Sequence, residues 1–161
     1  DSPEIHTLGA IDELNSAIGL TLSHHTMSPK IAGPLRLVQN DLFHLGAEIN
    51  ALDASGEITS HPCIEEHHIK HLEDIITGLN KELVPLRNFT LPGGTPAAAT
   101  LHIARTVCRR AERDAVVLAR TAKVRPMALQ YLNRLSDALF VMARWENQRT
   151  GTSESTWDSR R

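Results

Sequence analysis

The chain has 161 residues, of which 41% are apolar and 22% charged, and its formal net charge is -2. That length fits one domain with a single sizeable core, and the balance excludes a disordered or nucleic-acid-coating protein. Cys63 and Cys108 lie far apart without CxxC spacing, which argues against a disulfide framework or a cysteine zinc site and modestly favours a reducing compartment.

No apolar run approaches the roughly 20 residues of a membrane span. The start, Asp1-Ser2-Pro3-Glu4, has neither the basic end nor the apolar stretch of a signal peptide. It opens into a helical pattern with no initiator Met, so further sequence is expected before Asp1.

From Ile5 to His25, the apolar residues Leu8, Ile11, Ile18 and Leu22 recur on one helical face, while Asp12, Ser16 and Gly19 share another. A second helix is predicted from Pro34 to Leu52. There Leu35, Val38, Leu42, Leu45 and Ile49 alternate three and four apart, as in a helix packed nearly parallel to its neighbours. Asp53 to Glu57 reads as a loop, and Cys63 to Leu83 as a third helix bearing Ile64, Ile69, Leu72, Ile75, Ile76 and Leu79. Between Pro85 and Pro96 the prolines and the Gly93-Gly94 pair exclude a continuous helix and require a shaped loop. Thr95-Pro96 reads as an N-cap followed by proline. Two long helices follow, Ala97 to Lys123 and Pro126 to Arg149, the latter with Leu132, Leu135, Leu139 and Met142 at core spacing. The expected fold is an all-α bundle of five helices in one domain, residues 1–149, with 150–161 a polar and mobile tail.

The fourth helix concentrates Arg105, Arg109, Arg110 and Arg113 around Glu112. At about 100° per residue Arg105, Arg109 and Glu112 share a stripe, with Ile103, Ala104, Val107, Ala111 and Leu118 expected on the buried side. Guanidinium groups offer planar paired donors that match phosphate oxygens, so this face suits a polyphosphate. The competing reading is a salt-bridged surface in which Arg109 and Arg113 pair with Glu112 and Asp114. On the fifth helix Asn133 could read a nucleoside or simply hydrogen-bond between helices, with Arg134 pairing to Asp137. The loop glycines match neither GxxxxGK[ST] nor GxGxxG, which excludes an ordinary P-loop or dinucleotide fingerprint. Among nine histidines, His67 and His71 beside His68 could place imidazoles on one ion. The acidic residues around them favour a solvated helix face instead, and no protein-bound metal is expected.

Taken in order, Ile11-Asp12-Glu13-Leu14-Asn15-Ser16-Ala17-Ile18-Gly19, Val38 to Glu48, Phe89-Thr90-Leu91-Pro92-Gly93-Gly94, His102 to Arg113 and Tyr131 to Asp137 closely resemble the PduO-type ATP:cob(I)alamin adenosyltransferases. The resemblance covers nearly the whole chain. It implies a ferritin-like five-helix bundle that forms a homotrimer with active sites between subunits, acting in the cytoplasm. It implies transfer of the 5′-deoxyadenosyl group of ATP, carried with Mg2+, to cob(I)alamin, giving adenosylcobalamin and triphosphate. By the same resemblance Arg109, Arg110, Glu112, Arg113 and Asn133 belong to the ATP site. Phe89 lies beneath the corrin ring and keeps the lower nitrogen ligand from cobalt. Asp12 pairs with the position of Arg105 across the subunit boundary and shapes the corrinoid pocket.

A reductase and an adenosylcobalamin-dependent enzyme are further expected partners; nucleic acid and membrane are not. The family's N-terminal phosphate-wrapping loop and a lysine are expected before Asp1. The alternatives from other classes are a non-catalytic corrinoid carrier and a structural bundle whose arginines only join subunits.

Overall fold

The computed structural model describes residues 2–52 and 62–160. Five helices build this part of the chain: α1 (Pro3–Leu22), α2 (Pro29–Asn50), α3 (Glu66–Asn80), α4 (Pro96–Leu118) and α5 (Pro126–Arg149). Among the described residues the one β-pairing outside the helices is an isolated antiparallel bridge between Thr90 and Thr156. The all-α expectation therefore holds, and the loop expected at Asp53 to Glu57 lies outside the described residues.

Local chemistry sets the helix starts. Ser2, Ser28 and Thr95 accept hydrogen bonds from the backbone N–H of Ile5, Lys30 and Ala98 respectively, and a proline follows each cap. The caps satisfy donors that the first turn leaves open, and proline loses nothing there because its missing N–H would have no partner. This corrects the start of α2. It begins at Pro29, capped by Ser28, and Pro34 sits inside the helix, where it removes one backbone donor without ending the run.

The third helix is shorter than the sequence predicts. Ile64 precedes it, and its N–H is taken by the buried carboxylate of Glu48 at 2.9 Å. The Glu65 N–H is taken by His68 Nδ1, also at 2.9 Å. These bonds hold Ile64 and Glu65 outside the helix. At its far end α4 stops at Leu118 and not at Lys123, where the Thr121 hydroxyl bonds the Leu118 carbonyl at 3.2 Å and competes with continued helix.

Helix α1 packs on α2 and α4, α4 packs on α5, and α5 packs on α3. The predicted seam of α2 is the core: Leu35, Val38, Leu42, Leu45 and Ile49 are all buried, each worth about 1.5–3 kcal/mol in area removed from water. Tyr131 of α5 is buried among them and its hydroxyl donates to Asp41 Oδ2 at 3.1 Å. In α4 the buried face is rich in alanine, with Ala97, Ala98, Ala104, Ala111 and Ala115 inside. Ile103, expected on that face, is instead 52% exposed, because it lies one residue, about 100°, round from Ala104. No helix among the described residues is long and apolar enough to cross a membrane.

The segment after Arg149 runs back beside the loop that precedes α4. Leu91 N–H donates to the Ser155 carbonyl and Trp157 N–H to the Phe89 carbonyl, both at 2.8 Å. Loop and tail together form one wall of a cavity on this face.

Candidate functional site

A cavity of about 950 Å³ opens between α4, α5, the loop and the tail. Phe89 and Trp157 stand at its lip, 78% and 55% exposed, with ring centroids 6.2 Å apart and edge to face. The inner wall comes from His102 and Arg105 of α4 and Phe140 of α5. The Arg105 guanidinium lies 6.0 Å from the Phe140 ring centre, and the His102 ring 6.1 Å from it.

Two nitrogens of this wall, Arg105 Nε and His102 Nδ1, are buried without a hydrogen-bond partner. Burial, and after it the charge of Arg105, holds the His102 imidazole below its ordinary range. Burial, and after it the charge of Arg109, lowers the Arg105 guanidinium from its usual value; guanidinium nevertheless stays cationic at physiological pH. The result is a mixed apolar and cationic wall facing an apolar lip, the pattern of a pocket for a large flat partner with polar edges.

Phe89 and Arg105 are thus brought to one cavity, as the family resemblance expects. Asp12 is not part of it: it is exposed on α1 and makes no ion pair among the described residues, whereas its neighbour Glu13 pairs with Arg110. Arg105 has no ion-pair partner either among the described residues.

The remaining arginines lie further along α4. Arg109 and Arg113 are exposed, and the pairing with Glu112 and Asp114 considered from the sequence is not formed. Instead Arg113 donates to the Arg109 carbonyl at 3.1 Å, and the exposed Arg109 guanidinium has no ion pair among the described residues. Glu112 Oε1 accepts from Asn133 Nδ2 at 2.9 Å. Asn133 Oδ1 accepts from Arg134 at 2.8 Å, and Arg134 pairs with Asp137 at 3.0 Å. Asn133 therefore does make the inter-helix bond foreseen as an alternative, and that bond holds its amide in a fixed orientation beside the arginines.

The glycine pair makes room for a side chain of α5. Asn147 at the end of α5 accepts from Thr95 N–H at 2.9 Å and donates to the Gly93 carbonyl at 3.0 Å. Gly94 has φ +103, and a Cβ there would collide with the Asn147 amide. The glycines let α5 grip the loop.

Histidines cluster elsewhere than expected. His67 is exposed, but His68 is buried, and ligand-type atoms of Asp41, His44 and His68 lie within 4.8 Å of one another. His68 Nδ1 accepts the Glu65 N–H, so in the neutral ring the proton sits on Nε2, which faces Asp41 Oδ1 at 3.7 Å. A metal-bound histidine has the opposite arrangement, a free lone pair toward the ion and an N–H donated outward. The cluster is a polar junction between α2 and α3, completed by the Tyr131 bond to Asp41.

Sequence reasoning gave no role to His102, which it named only as the start of a motif, or to Phe140, Trp157 and Asn147. One signal was available: His102, Arg105, Arg109 and Glu112 follow one another at spacings of three, four and three, a single helical stripe. The others depend on contacts between segments far apart in sequence.

Comparison with known proteins agrees with this geometry. The family model for cobalamin adenosyltransferase matches residues 1–146. The chain is 40% identical over 161 residues to a cobalamin adenosyltransferase of Cupriavidus metallidurans, covering 100% of this chain and 84% of that one. It is 36% identical to a corrinoid adenosyltransferase of Bacillus subtilis, covering 98% and 81%. Among solved structures, a variant PduO-type ATP:corrinoid adenosyltransferase from Lactobacillus reuteri, complexed with cobalamin and ATP, superposes with a TM-score of 0.90 at 30% identity, covering 99% of this chain and 88% of that one.

Proposed function

This chain belongs to the cobalamin adenosyltransferase family, and from that premise we propose how its residues divide the work of moving the 5′-deoxyadenosyl group of ATP to cob(I)alamin. The observation that carries the proposal is the split along α4: Arg105 lines the large cavity, whereas Arg109 stands open to solvent one turn further on. The cavity takes the corrinoid and the outer arginines take the triphosphate.

Cob(I)alamin supplies an electron pair to the ribose C5′, a cobalt–carbon bond forms, the C5′–O bond breaks, and triphosphate leaves with the bonding electrons. No protein nucleophile is required. The protein contributes positioning and stabilisation of the charge that builds on the departing triphosphate. Arg109, with Arg110 and Arg113, supplies that charge stabilisation, and Mg2+ enters with ATP. Asn133, oriented by Glu112, contacts the nucleoside side.

Phe89 presents an apolar face to the corrinoid's lower side, where a nitrogen ligand would otherwise approach cobalt. Withholding that ligand eases reduction of cob(II)alamin, since the protein's lever on such a centre is ligation and environment.

The partner of Asp12 is Arg105 of a second copy, in a homotrimer. Support comes from both groups lacking an ion pair among the described residues of one chain and from the exposed apolar side chains of Ile5, Leu20, Ile103 and Val116 on α1 and α4. The expected setting is the cytoplasm, with a reductase supplying the electron and an adenosylcobalamin-dependent enzyme receiving the product.

The test is turnover of the full-length protein with ATP, Mg2+ and chemically reduced cobalamin, followed in the visible spectrum. Conversion to adenosylcobalamin is expected; corrinoid binding without conversion would instead identify a carrier.

A further inference from the structure

Phe89 sits on a segment with no helix or sheet of its own, yet its task as read above demands a fixed ring. Several side chains near the end of α5 hold that segment. Gln148 accepts from Val84 N–H at 3.1 Å and donates to the Glu82 carbonyl at 2.7 Å, and Asn147 clamps the far end at Gly93 and Thr95. These bonds anchor the ends of the loop and leave its middle to be held from elsewhere.

The middle is held by the tail, through the bonds that join Phe89 to Trp157 and Leu91 to Ser155. Arg144 joins the two. Its guanidinium is buried and donates through one terminal nitrogen to the Val84 carbonyl at 2.9 Å, five residues before Phe89. Its Nε donates to Glu154 Oε2 at 3.1 Å, three residues before Trp157.

Resting on the reading of Phe89 given above, we propose that Arg144 is a positioning residue for the corrinoid reaction, which locks loop and tail together and thereby fixes the Phe89 ring at the lip of the cavity. Arg144 touches no substrate. It acts through the Val84 carbonyl on the loop side and the Glu154 carboxylate on the tail side, from a helix whose own packing makes it a rigid support.

The chemistry favours an arginine in this position. A guanidinium presents several donors in one plane, so a single side chain meets a carbonyl on one segment and a carboxylate on another. Glu154 Oε1 is buried without a partner, so loss of Arg144 leaves a partly buried carboxylate uncompensated and pushes the tail away from the loop.

The experiment compares two rates in the full-length protein: adenosylation starting from cob(II)alamin with reduced flavin, and adenosylation starting from chemically supplied cob(I)alamin. Arg144→Met should lower the first relative to the second by about tenfold, less than the roughly hundredfold that a 1 Å misplacement can cost, with KM for ATP unchanged. Glu154→Ala, which leaves α5 intact, should shift the ratio in the same direction and decides the question if Arg144→Met does not fold. In a Phe89→Ala background neither change should lower the ratio further, because the group they position is gone.

Equal losses at both cobalt states, or losses that add fully to those of Phe89→Ala, would overturn the proposal and mark the arginine as structural. If Phe89→Ala itself leaves the ratio unchanged, the role given to Phe89 fails and the proposal with it. A ratio that falls in Phe89→Ala but not in Glu154→Ala or Arg144→Met removes the positioning role alone.

Discussion

Asn147 and Gly94 approach more closely than any residue with a side chain would permit: a Cβ on Gly94 would overlap the Asn147 side-chain amide. The backbone there, with φ +103, is strained for any other residue as well. Gly94→Ala should therefore destabilise the protein by about 2–4 kcal/mol, combining backbone strain with loss of the Asn147 bonds. Gly78 is the control. It is exposed within α3 with nothing within 4 Å of a new Cβ, so Gly78→Ala should stabilise by roughly 0.5–1 kcal/mol. Urea denaturation of the two variants checks both signs.

A pH dependence follows from His102 and His68, whose imidazoles burial holds below the ordinary value of 6.5. Above that pH both folded and unfolded chains carry neutral rings and the full stability is present. As pH falls, the unfolded chain binds protons first, and stability is lost down to the lower folded values. The slope contributed by each group is at most about 1.4 kcal/mol per pH unit. His102→Gln should flatten the loss of stability as pH falls below the ordinary histidine value of 6.5, measured as the denaturation midpoint across pH. An unchanged slope would show that His102 is not buried as a neutral ring.

Arg109 is exposed and makes no ion pair among the described residues, so its removal should leave the fold intact. Arg109→Ala is expected to raise KM for ATP by about ten- to a hundredfold, the range for losing a charge-assisted contact to phosphate, with the thermal midpoint near that of the parent. Steady-state kinetics at varied ATP, beside a melting curve, separates this from a structural effect. Asn133→Ala should act in the same direction and also release Glu112.

The parts of this protein legible in the sequence are those that rest on periodicity along one helix. The seam of α2 from Leu35 to Ile49 is buried as the three-four spacing predicts, and the arginine stripe of α4 is where the spacing puts it. Helix ends are less legible, because Ser28 and Glu48 decide them through single hydrogen bonds that no period reports. Pro34 misleads for the same reason: proline marks a helix start only when nothing upstream caps one. Least legible is the wall of the cavity. Trp157 lies in a polar tail that looks featureless, and Arg144 reads as one more residue on the fifth helix until Val84 and Glu154 are seen to meet on it. The Gly93-Gly94 pair carries a true signal of close approach, and the group that approaches Gly94 is the Asn147 amide.

The most direct measurement is of the products. Phosphorus NMR of a reaction of the full-length protein with ATP and cob(I)alamin, with adenosylcobalamin quantified in the same sample, reports which bond of ATP is broken. Attack at C5′ requires intact triphosphate released in equal amount with adenosylcobalamin. Orthophosphate or diphosphate as the primary product, or triphosphate without a cobalt–carbon product, would contradict the account.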